Sequence, residues 1–166
     1  MLYHHMNKHC YSQFLYGHIF GVGLLFFAIT LGFLYIFQHT EITSMTDLLT
    51  LQLGAANKVT PYEQTLLFSI FVWTHFWYMF NTRSYEANNS YFKLKQSSGF
   101  KTIVGVIILG QIIIVELLYN FFNVEPMFHT ADWHFNLSGC IDWLIIVGAS
   151  SLVLWIREGW FFITKK

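Results

Sequence analysis

Four long apolar stretches, separated by short polar segments, dominate the pattern of this chain. They are residues 14–37, 65–80, 103–122 and 141–156. A helix needs roughly 20 apolar residues to cross a ~30 Å hydrocarbon core, and the first and third stretches reach that length by themselves. The second starts earlier, because Thr60-Pro61-Tyr62-Glu63 has the form of an N-cap, a first-turn proline and a capping-box glutamate. The pattern predicts an all-α membrane protein, a single domain of four antiparallel helices at about 14–38, 61–83, 102–122 and 141–163.

The basic residues are distributed unevenly between these stretches. Eight of the nine lie before the first stretch, between the second and third, or after the fourth. They are Lys8, Arg83, Lys93, Lys95, Lys101, Arg157, Lys165 and Lys166. Only Lys58 lies in the other two loops, which are otherwise acidic. Because the cytoplasmic loops of membrane proteins carry an excess of Lys and Arg, this distribution predicts that both termini and residues 81–101 are cytoplasmic.

The composition excludes several classes of protein. Hydrophobic residues make up 55% of the chain and charged residues 11%, which is too apolar for a soluble domain or a disordered chain. Nine basic and nine acidic residues balance without a basic run, so nucleic-acid binding has no electrostatic support. The chain has no Walker loop, no Gly-x-Ser-x-Gly and no Cys-x-x-Cys motif. We therefore expect an integral membrane protein surrounded by the lipid bilayer.

Three ionisable side chains fall well within the predicted spans, where such groups are costly and are functional candidates by default. They are His18, His75 and Glu116. Glu116 is a candidate ion or proton ligand, and the alternative is a carboxyl group that faces the bundle or reaches the nearby interface. His18 and His75 lie on different helices and could ligate haem, but their predicted depths differ by about one turn. Histidines that are hydrogen-bonded within the bundle are the commoner case.

Two loose groups of His, Cys and Asp lie outside the spans. The first is His4, His5, His9 and Cys10, and the second is His129, Asp132, His134 and Cys140. In the first group, His5 and His9 are four residues apart and could share a metal ion on one helix face. Neither group meets a fixed zinc spacing, and the alternative is a patch of interfacial histidines. We expect no cofactor.

The chain from residue 60 onward holds several motifs in order. They are Phe80-Asn81-Thr82-Arg83, Gln111 followed by apolar residues up to Pro126, Asp142-Trp143, and Glu158. With these motifs the chain resembles the C-terminal membrane portion of calcium-transporting P-type ATPases, nearest to the plasma-membrane-like class found in bacteria. The resemblance marks Asn81, Arg83 and Gln111 as family-motif residues, and it implies a location in the bacterial inner membrane. The first span fits the seventh helix of the family by position more than by motif.

The resemblance also implies what the chain does not do by itself. In the family, the last four helices support a transport core that lies elsewhere in the pump. The Asp-Lys-Thr-Gly-Thr phosphorylation motif and the Thr-Gly-Glu motif of the family's headpiece do not occur in these 166 residues. We therefore expect that the isolated chain neither hydrolyses ATP nor moves an ion, and that its partner is the remaining part of a pump.

The chain departs from the family pattern at a position that matters for ion binding. His75 stands where the sarcoplasmic-type pump has a calcium-ligating glutamate and plasma-membrane-type pumps usually have glutamine. Calcium prefers oxygen ligands, so a histidine is a poor replacement. An inserted stretch at about Phe128 to Ser138 also lengthens the last outer loop. These departures suggest a copy whose ion chemistry has relaxed.

Three functions therefore remain open. The first is a structural module of a P-type cation pump, without catalytic activity of its own. The second is a stand-alone small membrane protein that binds or regulates a transporter. The third is a haem- or metal-binding membrane anchor.

Overall fold

The computed structural model describes residues 8–50, 52–86, 89–93, 97–130 and 132–164, with the backbone alone for 8–19, 85 and 86. The helices are α1 (Lys8–His39), α2 (Pro61–Glu86), α3 (Ser98–Ile112), α4 (Tyr119–Phe122), α5 (Leu137–Ser150) and α6 (Leu152–Thr164). Short 3-10 turns cover Met45–Leu49 and Tyr91–Lys93, and a π-helical turn covers Ile113–Leu117. The described residues form no β-strand, and the predicted all-α class is confirmed.

Three stretches of the described residues are long and apolar enough to cross a membrane. They are Phe20–His39, Ser98–Leu117 and Leu137–Thr164. The helix predicted over 61–83 is present as α2, and its 26 residues are long enough to span, but it is not one of these three. The reason is its polar content, since Glu63, Thr65, Ser69, Asn81 and Ser84 lie along it and are buried in the protein.

The chain divides into two compact units, one up to Ile36 and the other from Phe37 onward. The first unit is the larger part of α1. Large apolar side chains such as Phe20, Leu24 and Phe27 are exposed along it. A helix that is apolar all round is typical of a membrane span.

In the second unit, α2 and α3 run antiparallel. The Phe80 and Phe100 rings pack edge to face, with their centroids 5.3 Å apart. Further along, Gln111 Nε2 donates to Ser69 Oγ at 3.1 Å. Residue numbers therefore rise along α3 as they fall along α2, as expected for helices joined by a short loop.

α2 runs parallel to α5 and α6. Trp77 Nε1 donates to the carbonyl of Val147 at 3.2 Å, and Asn81 Nδ2 donates to the carbonyl of Val153 at 2.7 Å. The helix is interrupted at Ser151, between the end of α5 at Ser150 and the start of α6 at Leu152. The Val147 carbonyl also accepts from the Ser151 N–H at 3.1 Å, so α5 shares this acceptor with the Trp77 indole. α2 thus lies between its partners and joins them through both ring contacts and hydrogen bonds.

The start of α2 confirms the predicted capping box. The Thr60 hydroxyl accepts from the Glu63 N–H at 3.2 Å, and Glu63 Oε2 accepts from the Thr60 N–H at 2.7 Å. These reciprocal bonds satisfy backbone donors that a helix N-terminus otherwise leaves open. The helix begins at Pro61, as the sequence indicates.

The last two predicted spans are helical over most of their length, but each is interrupted. The span predicted at 102–122 is α3, the π-helical turn and α4, and it ends at Asn123 in the left-handed conformation with φ 53°. The span predicted at 141–163 begins earlier, at Leu137, where the Asn136 side chain caps the Gly139 N–H at 3.2 Å. Its break at Ser151 coincides with a side-chain bond from Ser151 to the Gly148 carbonyl, which competes with the helix ladder.

Candidate functional site

Four carboxylates of the second unit are almost completely buried. Glu63, Glu116, Asp142 and Glu158 are between 1% and 4% exposed. An ionised carboxylate in a buried position is costly unless hydrogen-bond donors replace the water that it loses. Each of the four has such donors, and in each case at least one is a backbone N–H of a loop.

Glu116 lies in the π-helical turn and reaches the loop that joins α4 to α5, residues 123–136, which we call the α4–α5 loop. Its Oε2 accepts from the Phe128 N–H at 3.0 Å. Its Oε1 accepts from the Met127 N–H and from Trp143 Nε1, both at 3.3 Å. All three donors are neutral, and two belong to the loop backbone. Of the roles considered for Glu116, this geometry favours a carboxyl group that faces the bundle.

A close approach of two backbones brings this loop to the helix that follows it. Gly139 in the first turn of α5 lies so near the loop that a Cβ added there would be 1.9 Å from the Met127 carbonyl oxygen. Real Cβ atoms do not come that close to another heavy atom. Only glycine fits at this position. The close approach lets the Met127 backbone lie within hydrogen-bond distance of the Glu116 carboxylate.

Asp142 connects α5 with the described residues of the loop 40–60, the α1–α2 loop. Its Oδ1 accepts from the Met45 N–H at 3.2 Å across 97 residues of sequence. Its Oδ2 accepts from the Tyr62 hydroxyl at 2.5 Å. Glu63 adds a second attachment, because its Oε1 accepts from the Ile42 N–H at 3.0 Å.

Within the α1–α2 loop, Asp47 stabilises the turn that presents Met45. Its Oδ2 accepts from the backbone N–H groups of Thr43 and Ser44, both at 2.9 Å. These hydrogen bonds favour the ionised form and lower the pKa of Asp47 below its ordinary value of 3.8. The loop is therefore held by its own carboxylate as well as by Asp142.

A cleft of about 410 Å³ lies between the two loops. Tyr62, Glu125, Ser138 and Asp142 are among the residues that line it. Carboxylate and hydroxyl oxygens are among its polar groups. The Asp142 carboxylate, however, already accepts hydrogen bonds from the Met45 N–H and the Tyr62 hydroxyl. Among the described residues, no three His, Cys, Asp or Glu side chains come close enough together to hold a metal ion.

At the other end of α2, Glu158 holds the described residues of the loop 87–97, the α2–α3 loop. Its Oε2 accepts from the Ser90 hydroxyl at 2.7 Å, and its Oε1 accepts from the Tyr91 N–H at 3.1 Å. Arg157 forms a salt bridge with Glu158 and donates from both terminal nitrogens to the Asn89 carbonyl at 3.1 Å. Of the four carboxylates, Glu158 is the one that forms a salt bridge with Lys or Arg in the described part of the chain.

The family-motif residues are brought into the helix contacts of α2. Asn81 and Gln111 each donate one amide hydrogen bond, to Val153 and Ser69, as described above. Their amide oxygens and Trp73 Nε1 are buried atoms without a hydrogen-bond partner in the described part of the chain. The Arg83 guanidinium lies 4.5 Å from the centroid of the Phe100 ring, a cation–π contact at the start of α3.

Among the described residues, the other predicted candidates form no shared metal site. His75 Nδ1 lies 2.8 Å from the Phe71 carbonyl one turn earlier, and the two rings pack with centroids 4.2 Å apart. His18 lies in α1, and its side chain is outside the described residues, as is the group of His4, His5, His9 and Cys10. The second loose group, around His129, forms no set of three metal-binding side chains in the described residues.

Sequence reasoning identified Glu116 and the capping role of Glu63, but it treated Asp142 and Glu158 only as landmarks of a resemblance. The loop partners of these two carboxylates lie 97 and 67 residues away along the chain. No local spacing gives such a contact. The available signal was an acidic residue beside a tryptophan or an arginine in an otherwise apolar stretch.

Comparison with known proteins identifies the chain as part of a described family. A family model described as the C-terminus of cation-transporting ATPases matches residues 4–163. Searches of curated proteins and of solved structures found no match.

Proposed function

Since the chain belongs to the family of cation-transporting ATPase C-terminal regions, we propose that it is the supporting membrane module of a P-type cation pump. In this proposal it has no catalytic activity of its own and associates with the remaining part of the pump. It is a multi-pass integral membrane protein, and we place it in the bacterial inner membrane. The observation that carries the proposal is the use of the buried carboxylates, each of which holds a loop to the helix bundle.

We further propose that all four helical segments cross the membrane, α2 included. The polar residues that reduce its hydropathy are buried in the protein, and they make hydrogen bonds there, as Ser69 and Asn81 do. A membrane helix can carry such residues where neighbouring helices satisfy them. Both termini and the α2–α3 loop are then cytoplasmic, and the α1–α2 and α4–α5 loops lie on the opposite side.

Cysteine labelling tests this topology. The native Cys10 and Cys140 are first replaced by serine, and single cysteines are then introduced as Lys93→Cys and Asp47→Cys. A membrane-impermeant reagent added to intact cells is expected to label the cysteine at position 47 and not the one at position 93. The two positions serve as controls for each other, and labelling at position 93 from outside contradicts the topology.

We propose calcium as the cation of the complete pump, on the resemblance described above. His75 then contributes no calcium ligand, because an imidazole nitrogen is a poor ligand for a hard cation. Its contact with the Phe71 carbonyl supports a hydrogen-bonded role within α2.

Two measurements test the supporting role. The purified chain is expected to release no phosphate from ATP, and vanadate-sensitive release above that of control membranes contradicts the proposal. Co-expression with a P-type pump truncated after its sixth helix is expected to yield a complex that hydrolyses ATP. A chain that instead purifies with an intact transporter, and does not complete the truncated pump, is a separate regulatory protein.

A further inference from the structure

A small hairpin in the α4–α5 loop packs one histidine against the π-helical turn. Its described residues are 128–130 and 132–136. It is closed by bonds from the Thr130 N–H to the His134 carbonyl at 2.8 Å and from the Asn136 N–H to the Phe128 carbonyl at 3.0 Å. An antiparallel bridge pairs His129 with Phe135.

Both ring nitrogens of His129 lie within hydrogen-bond distance of a carbonyl oxygen. Nδ1 is 2.7 Å from the Thr130 oxygen, and Nε2 is 3.0 Å from the Glu116 oxygen. A carbonyl oxygen can only accept, and a neutral imidazole has only one N–H to donate. The neutral ring would therefore place a nitrogen lone pair against one of these oxygens, whereas the protonated ring satisfies both.

Two aromatic residues complete the surroundings of the ring. Trp133 stacks on His129 with centroids 4.2 Å apart and planes 6° apart, and Tyr119 of α4 meets it edge-on at 5.9 Å. Trp133 adopts a left-handed backbone conformation with φ 60°, which is unfavourable for a large side chain. Such strain persists where surrounding contacts compensate for it, and the face of an indole attracts a cation.

We propose that His129 is a proton-operated latch that, when protonated, holds the hairpin to the π-helical turn of Glu116 and, when neutral, releases it. The hairpin supplies the ring and the Thr130 oxygen. The π-helical turn supplies the other oxygen together with the carboxylate that holds Met127 and Phe128. The helix and the loop are thus joined by two adjacent attachments, and one of them requires a proton.

The charged and titratable groups around the ring support this assignment. Glu116 faces it from the π-helical turn and Tyr119 from α4, and the hairpin's own titratable residues are Asp132 and His134. The Thr130 carbonyl, then the Glu116 carbonyl, raise the pKa of His129 above its ordinary value of 6.5, and the Glu116 charge adds to this. Because the pKa is raised in the folded state, the attachment is fully present below about 6.5 and is lost as the pH rises through the folded-state pKa.

The proposed latch has a defined sign with respect to pH. The latch tightens the loop as the pH falls. In the proposed topology the hairpin faces the side opposite to the termini, so the latch responds to the proton concentration outside the cell.

Nuclear magnetic resonance on the whole chain in detergent micelles tests the latch directly. The His129 ring nitrogens are expected to titrate at a higher pH than in a free peptide of residues 126–138. The backbone amides of Met127, Phe128 and Trp133 are expected to lose about tenfold in hydrogen-exchange protection across this titration, after correction for intrinsic rates. Titration of His129 at or below the peptide value, or protection that does not change, overturns the proposal.

Two variants localise the effect. His129→Phe keeps a stacking ring without ring nitrogens and is expected to abolish the pH dependence of loop protection. His134→Phe, in the same hairpin, is expected to retain it. A His129→Phe protein with the same pH dependence as the unmodified chain contradicts the latch. If His129→Phe does not fold, the titration of the His129 ring nitrogens in the unmodified chain is the test of the latch.

Discussion

The two ends of α2 stabilise buried carboxylates in different ways. At the Pro61 end, Glu63, Glu116 and Asp142 are held by neutral backbone, indole and phenol donors. At the Glu86 end, Glu158 is held by neutral donors and by the Arg157 guanidinium. Lys and Arg near the ends of membrane helices set the orientation of a chain in the bilayer, whereas Asp and Glu contribute little. Neutral donors stabilise the carboxylates at the Pro61 end without placing Lys or Arg beside them. The uneven distribution of basic residues on which the proposed topology rests is therefore preserved.

This difference between the two ends of α2 also predicts that substitutions at the two ends lower the stability of the protein by unequal amounts. The Pro61 end depends on close packing of loop backbone against buried acceptors, whereas the Glu86 end depends on an ion pair that is partly open to solvent. Substitutions at the first end should therefore cost more than substitutions at the second.

Gly139→Ala should have the largest effect. The added methyl group would collide with the Met127 carbonyl and displace the loop from Glu116. We expect a loss of about 3 kcal/mol in the free energy of unfolding, measured by titration with a denaturing detergent. Gly148→Ala is the matched control, because nothing lies within 4 Å of the Cβ position there. Equal losses in the two variants would mean that the close approach at Gly139 does not hold the loop.

Glu116→Gln should follow, with a loss of about 2 kcal/mol. The amide keeps one acceptor but directs an N–H₂ group toward loop donors that need an oxygen. Glu125→Gln changes an exposed carboxylate in the same loop and should leave stability within about 0.5 kcal/mol of the unmodified chain. A Glu116→Gln protein as stable as this control would show that the Pro61 end does not depend on its carboxylate.

Glu158→Gln should cost less, about 1 to 2 kcal/mol, because the amide still accepts from the Tyr91 N–H or the Ser90 hydroxyl. The measurement is a double-mutant cycle with Arg157→Gln in the same detergent titration. A coupling free energy that falls with added salt is expected, since Arg157 is 19% exposed. A coupling free energy of zero would show that the ion pair of Arg157 and Glu158 does not stabilise the Glu86 end of α2, and the two ends would then not differ in this respect.

His75→Gln should have the smallest effect. The histidine contacts a carbonyl of its own helix, and polar contacts of membrane helices contribute about 0.6 kcal/mol on average. Thermal unfolding should therefore change little. A loss as large as that of Glu116→Gln would show that His75 has a role beyond its contact with α2.

Much of the fold follows from the sequence because its signals are local. The capping box at Thr60 and Glu63 predicts the residue at which α2 begins, and the apolar stretches predict the helical segments. The inward position of Asn81 follows from its place in an apolar helix, where a polar group needs a partner.

The interruptions and the long-range contacts do not follow from local signals. The π-helical turn places Glu116 against a loop that follows the helix, and no local pattern marks it. The break at Ser151 coincides with a hydroxyl bond that also fits an unbroken helix. The contact of Asp142 with the Met45 N–H requires the α1–α2 loop to return to α5. Glu116 could therefore be singled out from the sequence, but its three donors could not.

We propose above all that the buried carboxylates anchor loops and do not bind the ion that the pump transports. The most direct test compares the melting temperature of the purified chain in calcium chloride and in magnesium chloride at equal ionic strength. A ligand that binds the folded state raises the melting temperature, so we expect the same melting temperature in both salts. A rise in calcium alone that disappears in Glu116→Gln would contradict it, because the carboxylate would then be an ion ligand.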